Sequence, residues 1–443
     1  MENNFKTFSK INMNWTSTFY LVVILFLAVF MPPLVSIPMS YIVVSIMTVY
    51  ILYTILTSCK TTVKLDILKI TYGFWPFLIY VFLNILLRVL LNESSFQADA
   101  YLANGKNTFL PVVYSIVLFI FLMCFFYNNK SFSLNDYVTV LILVAMAEVL
   151  TVFLSYANET IQSFFHGFVL KNGLNEITTD NIGKFSYRAF GLTGYFLDNF
   201  SFIMSGLSVL AFAKALFFKK KLLFLCSLFM VFASVLAART GIILSLVGFL
   251  LVFRFYPIKF SLKNCIISTL TLLACLVALI YFYENFSPER KAVIEQGIKA
   301  TISLLTFDSV EGVYSQILFA DLVFPDDIWF GIGAKPETLG YYDLFGAFID
   351  NGYIQTIWRF GLIGLILLFV GYVKFYYAIY KSTKSRYSRS LIIAFSFMLI
   401  LYFVKYYPVP VNGSHIIYLV TPAVFYYFNV SQKGIKGKNI MEP

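Results

Sequence analysis

Apolar runs near the roughly 20 residues that a bilayer-crossing helix needs follow one another along most of this chain, separated by short polar clusters. They lie at about 17–37, 39–57, 70–91, 108–127, 137–156, 196–217, 221–237, 240–256, 264–283, 354–379, 389–407 and 412–429. The pattern predicts an all-α polytopic membrane protein of about twelve transmembrane helices, with residues 1–443 forming a single integral membrane domain. The first two runs meet at Pro32-Pro33 and Pro38, where a regular helix cannot continue and a tight turn is expected. Three polar stretches are longer than the rest, at about 92–107, 157–195 and 284–353. The last is too long for a plain connector between packed helices and is expected to be one large loop with a role of its own.

Within that loop, Ser287-Pro288-Glu289 has the chemistry of a helix start: a hydroxyl cap, proline in the first turn and an acid against the helix dipole. Val293, Ile294, Ile298, Ile302 and Leu305 then recur at helical spacing, predicting an amphipathic helix over 288–306. It lies on the membrane surface or packs on the bundle; the spacing fits both. Gly331-Ile-Gly333 followed by Pro336 marks a sharp turn, and is weak as a phosphate cradle.

Composition agrees with the pattern. Of 443 residues, 60% are hydrophobic and only 12% charged, and the mean hydropathy is +0.81. A water-soluble fold of that make-up would have no surface to offer solvent. The net charge of +11 could suggest a nucleic-acid partner, but the bases fall in short clusters between apolar runs. Such clusters encode membrane topology, and no nucleic acid is expected. With a cytoplasmic N-terminus, Lys60, Lys64, Lys130, Lys219-Lys-Lys221, Lys259, Lys384 and Arg386 all fall inside. Glu93, Asp99, Glu159, Asp180, Asp326, Asp327 and Asp350 fall outside. Both termini are therefore expected in the cytoplasm and the 284–353 loop outside it. The five cysteines form neither a disulfide set nor a metal site, and neither histidine has a second ligand at metal spacing. No cofactor is expected.

The informative cations are those that break the inside-positive rule. Arg188 stands where the second outer segment enters the sixth run, Arg239 in a tight outer corner, and Arg359 about two turns into the tenth run. A guanidinium cannot shed its proton to escape burial, so each pairs with an acid such as Asp198 or Asp350, snorkels, or meets an anionic ligand. Three at one face point to an anionic ligand arriving from the membrane, and a diphosphate matches the guanidinium fork. Arg88, near the outer end of the third run, joins them or snorkels. Asp350 and Asn351 stand at the start of the tenth run, where both suit helix capping; Asp350 also suits a general base. Glu148 is the one acid deep inside an apolar run.

Three landmarks, taken together, resemble a known family. They are Arg188-Ala-Phe-Gly191 leading to Asn199, the corner Ala238-Arg-Thr-Gly241, and Phe330-Gly-Ile-Gly333 followed by Asp350-Asn-Gly-Tyr353 and Gly361-Leu-Ile-Gly364. Their order over roughly 185–370 is similar to that in the bacterial O-antigen and capsule repeat-unit polymerases (Wzy-type) of the O-antigen ligase/polymerase superfamily. The corner carries Ala238 where the family often has serine. Asp350 stands where ligases usually have histidine, which favours polymerase over ligase. The paired arginine–glycine repeats described for some polymerases do not occur.

The resemblance implies a membrane glycosyltransferase of the bacterial inner membrane acting at its outer face. Its donor would be a glycan on undecaprenyl diphosphate and its acceptor a lipid-linked repeat unit, with a flippase and a chain-length regulator as possible partners. Arg188, Arg239 and Arg359 would hold the diphosphate, with Arg239 and Asp350 catalytic, and Asn199 and Asn351 would orient substrate. Two alternatives share the composition: an O-antigen ligase-type transferase and a lipid-linked oligosaccharide flippase or transporter. A transporter predicts mid-membrane polar residues and related halves; here the charges gather toward one face.

Overall fold

The computed structural model describes residues 15–32, 39–57, 71–91, 95–158, 160–165, 197–238, 240–256, 324–334, 352–404 and 413–431, with isolated positions at 284, 291 and 295. Helices α1 (Trp15–Phe30), α2 (Met39–Thr57), α3 (Trp75–Leu91), α4 (Ser95–Asn128) and α5 (Leu134–Ala157) form the first half. The second half has α6 (Leu197–Phe217), α7 (Lys221–Ala237), α8 (Thr240–Phe255), α9 (Gly352–Ser382), α10 (Arg386–Tyr402) and α11 (Thr421–Ser431). A short 3₁₀ turn, Tyr72–Phe74, leads into α3, and a π-helical turn, Ile416–Val420, leads into α11. Among the described residues the fold is all-helical, and six spans are long and apolar enough to cross a membrane. Several shorter apolar helices, α1, α7 and α8 among them, accompany those six.

Hydropathy placed these elements closely: 39–57 and 221–237 coincide with α2 and α7. The predicted span at 264–283, the amphipathic helix at 288–306 and most of the 284–353 loop lie outside the described residues. Two readings change. Residues 95–107, expected to be an outer polar segment, are helical and continuous with the span behind them in α4. Pro111 sits inside that helix. The tenth run is not one regular helix, because α9 is broken at Gly361.

The centre of the bundle is α6. Within its apolar window 89% of residues are buried, against 22% for the windows of α2 and α3 at the periphery. Its sequence explains the position. Ser201, Ser205 and Ser208 run along one face, and small side chains let neighbouring backbones approach. Ser205 Oγ donates to the Gly241 carbonyl at 3.0 Å, Ser227 Oγ on α7 donates to the Ser208 carbonyl at 3.0 Å, and Ser208 Oγ bonds Ser245 Oγ on α8 at 3.3 Å. On another side, Phe202 lies flat between the rings of Tyr402 and Tyr418, with centroids 3.6 and 4.0 Å away. Packing thus joins α6 to α7, α8, α10 and the π turn, while α3 and α4 pack with each other and α3 against α9.

Local signals fix the helix ends. Ser133 and Asp136 form a capping box at the start of α5, each side chain accepting from the other's backbone N–H. At the far end of α6, Lys214 Nζ donates to the Asn135 carbonyl at 2.8 Å and also bonds Thr139.

Candidate functional site

Breaking α9 at Gly361 leaves carbonyls at the end of its first half and N–H groups at the start of its second without helical partners. Gly361 adopts φ 68° and ψ −179°, a conformation that only glycine takes without strain. The loop around 328–333 enters this break and pairs with both sides. Ile332 N–H donates to the Trp358 carbonyl at 2.6 Å and Gly333 N–H to that of Arg359 at 3.0 Å. In return, Leu362 N–H donates to the Ile328 carbonyl at 2.8 Å and Ile363 N–H to that of Trp329 at 3.3 Å. The backbone groups of the interruption are therefore satisfied by protein, which is the condition for irregular backbone at membrane depth.

The glycines are steric requirements of this arrangement. A β-carbon on Gly331 would lie 2.5 Å from the Ile357 carbonyl oxygen, and one on Gly333 2.3 Å from Arg88 Cδ. Both have positive φ, 67° and 82°. Gly331-Ile-Gly333 is thus a turn, and its N–H groups are spent on the carbonyls of Asp327, Trp358 and Arg359 rather than on a ligand. Asp327 shapes the approach by accepting the N–H groups of Trp329 and Phe330 at 3.2 and 3.1 Å.

Polar residues of α3 and α4 hold the loop from the other side. Tyr80, Asn84 and Arg88 fall four residues apart on one face of α3. Tyr80 Oη donates to the Phe360 carbonyl at 2.7 Å, and Asn84 Nδ2 to that of Phe330 at 3.1 Å. Arg88 Nε donates to Asn84 Oδ1 at 2.9 Å while its Nη2 donates to the Gly331 carbonyl. On α4, Asn104 Nδ2 donates to the Gly333 carbonyl at 2.8 Å, and Asn104 Oδ1 lies 3.5 Å from Arg359 Nη1. Arg359 is buried, only 3% exposed, in the last turn before the break.

Asn199 belongs to a second constellation, at the start of α6. Ser201 Oγ donates to the Ala238 carbonyl at 3.0 Å and bonds Ser234 Oγ at 2.9 Å, which ties the end of α7 and the start of α8 to the start of α6. A β-carbon on Gly241 would fall 1.7 Å from Ser234 Oγ, so the corner tolerates only glycine there. Tyr402 Oη, at the end of α10, donates to Asn199 Oδ1. Tyr353 Oη, in the first turn of α9, donates to the Ile400 carbonyl at 2.9 Å. The starts of α6, α8 and α9 and the ends of α7 and α10 therefore share one end of the bundle.

Of the residues that the resemblance puts in the site, Arg359 and Asn199 are described, in these two constellations. Arg188, Arg239, Asp350 and Asn351 lie outside the described residues, although Ala238, Thr240, Gly352 and Tyr353 beside them are described. Glu148 is fully buried and accepts from Thr151 Oγ1 at 3.0 Å, on a helix packed against α1, α6 and α7. His415 is buried with its ring edge-on to Tyr114 at 5.1 Å. No group of metal-binding side chains occurs among the described residues. Asn84, Tyr80 and Asn104 were missed in the sequence; Tyr80 and Asn84 carried a signal, polar groups four residues apart inside an apolar run, and Asn104 in the polar stretch before its span did not.

Among the described residues the protein is all-helical, with helices suited to crossing a membrane and a buried arginine at a helix break. No protein-family model matches the chain, and no curated protein sequence matches it.

Proposed function

We propose that the protein is a polymerase that joins oligosaccharide repeat units carried on undecaprenyl diphosphate into a surface polysaccharide, at the outer face of a bacterial cytoplasmic membrane. The observation that carries this reading is the interlocking of stretches that are distant in sequence. Phe330-Gly-Ile-Gly333 is stitched into the break before Leu362, beside Arg359. The Ala238–Gly241 corner is tied to the start of α6, next to Asn199. Tyr402 and Tyr353 then bring Asn199 and the start of α9 to one end of the molecule. The described parts of the landmarks on which the family resemblance rests thus fall into two clusters, the Phe330–Gly333 loop with Arg359 and the Ala238–Gly241 corner with Asn199, and this supports the reading.

In this reaction an acceptor sugar hydroxyl attacks the donor's anomeric carbon. The carbon–oxygen bond to the diphosphate breaks, and its electron pair leaves on the diphosphate. Arg359, with Arg239 and Arg188, stabilises the charge that develops on the leaving group. Asp350 takes the hydroxyl proton, and Asn199 and Asn351 orient the sugars. Burial strengthens the arginine's contribution because little water competes for the oxyanion.

Deletion of the gene followed by gel analysis of surface glycan tests the reading. Single repeat units at the surface without long chains, restored by the wild-type gene and not by Arg239→Ala at equal protein level, is the expected result. Repeat units trapped on the cytoplasmic side would indicate a flippase instead, and full-length glycan left on its lipid would indicate a ligase.

A further inference from the structure

Beside the loop, between α3 and the start of α4, lies an open cleft of about 620 Å³ lined by Tyr80, Leu83, Leu87, Arg88, Tyr101 and Asp327, among others. Its chemistry has two parts. Leu83, Leu87 and Leu91 form an i, i+4 ridge along α3 and are 48%, 55% and 81% exposed. On an apolar span such a ridge faces acyl chains. The other part is a pair of opposite charges. Arg88 spends Nε and Nη2 on Asn84 and Gly331, while Nη1 makes no hydrogen bond and the side chain no ion pair among the described residues. Asp327 is exposed and accepts backbone N–H groups through Oδ1, leaving Oδ2 without a hydrogen bond among the described residues.

The geometry points to a binding site for a zwitterionic glycerophospholipid, its phosphodiester on Arg88, its ammonium on Asp327 and one acyl chain along Leu83, Leu87 and Leu91. Charge balance selects this occupant. A phosphodiester carries one negative charge, matched by one guanidinium. A lipid diphosphate carries more than one and would face Asp327 as well, with like charges repelling. An anionic phospholipid satisfies Arg88 but leaves the carboxylate unmatched. The aromatic rings of Tyr101 and Phe330 in the same lining favour an ammonium group further. Through Arg88 the lipid would touch the hydrogen bonds that hold the loop in α9, but the site is independent of the glycan reaction proposed above.

The test uses the full-length protein in a neutral detergent, supplied with phosphatidylethanolamine and phosphatidylglycerol of identical acyl chains. Native mass spectrometry counts the lipids retained. The protein is expected to retain the ethanolamine lipid about tenfold better, the size of one charge-assisted contact. Asp327→Asn keeps an Oδ1 to accept the loop N–H groups while removing the charge, and should erase the preference. Leu87→Trp, at an exposed position, should block the groove and lower retention of both lipids. A preference for the glycerol lipid, equal retention of the two, no retention, displacement by inorganic phosphate or a preference unchanged in Asp327→Asn would each overturn the assignment.

Discussion

At Gly361 a β-carbon would lie 2.0 Å from the Trp329 carbonyl oxygen, and the backbone is already in the left-handed region. Alanine there must both strain the backbone and expel the loop from the break. Gly361→Ala should cost about 3 kcal/mol or more, read as a lower thermal unfolding midpoint in detergent. Arg359 differs, since its carbonyl takes the loop's Gly333 N–H directly, while its guanidinium reaches the loop through a long 3.5 Å contact with Asn104. Arg359→Gln should leave that midpoint within a few degrees while reducing glycan chain growth about 100-fold, the usual scale for removing one donor to a developing oxyanion. An unchanged chain-length distribution on gels would remove Arg359 from the site. Arg359 was visible in the sequence because a permanent cation in an apolar run demands an explanation. Asn104 was not: a neutral amide four residues before Thr108 looks like any polar residue at the head of a span, and only the fold brings it to Gly333 and Arg359.

Helix positions were legible because lipid imposes length and apolarity on each one, and hydropathy measures both. The break in α9 was not. Hydropathy continues across Gly361, and glycine is common in membrane helices, so the interruption depends on a loop about thirty residues earlier. The central place of α6 was similarly hidden; its serines lower hydropathy slightly but say nothing of which helices they meet. Phe202 is an apolar fastener between α6, α10 and the π-helical turn, fully buried and stacked on both faces. Phe202→Ala should destabilise the protein by about 3–5 kcal/mol, measured by thermal unfolding. A loss under about 1 kcal/mol would mean that the serine seam and the other buried side chains of α6 hold it without the Phe202 stack.

For the whole molecule, one end gathers Asn199, the Ala238–Gly241 corner and Tyr353, and in the orientation proposed from the positive-inside rule that end would lie outside the cytoplasm. In a chain with its own cysteines replaced, Asp326→Cys should react with an impermeant maleimide added to intact cells. Lys220→Cys should react only after permeabilisation. Both positions are exposed, so access to reagent decides the outcome. The reverse labelling would place the arginines on the cytoplasmic face and exclude a reaction with exported repeat units.

Chain growth from a lipid diphosphate donor can be followed with purified protein in liposomes. Lipid-linked repeat units are supplied without nucleotide sugar, and the products are separated by length while released undecaprenyl diphosphate is measured. A ladder of products with one lipid diphosphate released per bond formed, lost in Arg359→Gln, is the predicted result. Consumption of repeat units by single transfer to another acceptor, or movement of them across the bilayer with no bond made, would contradict it.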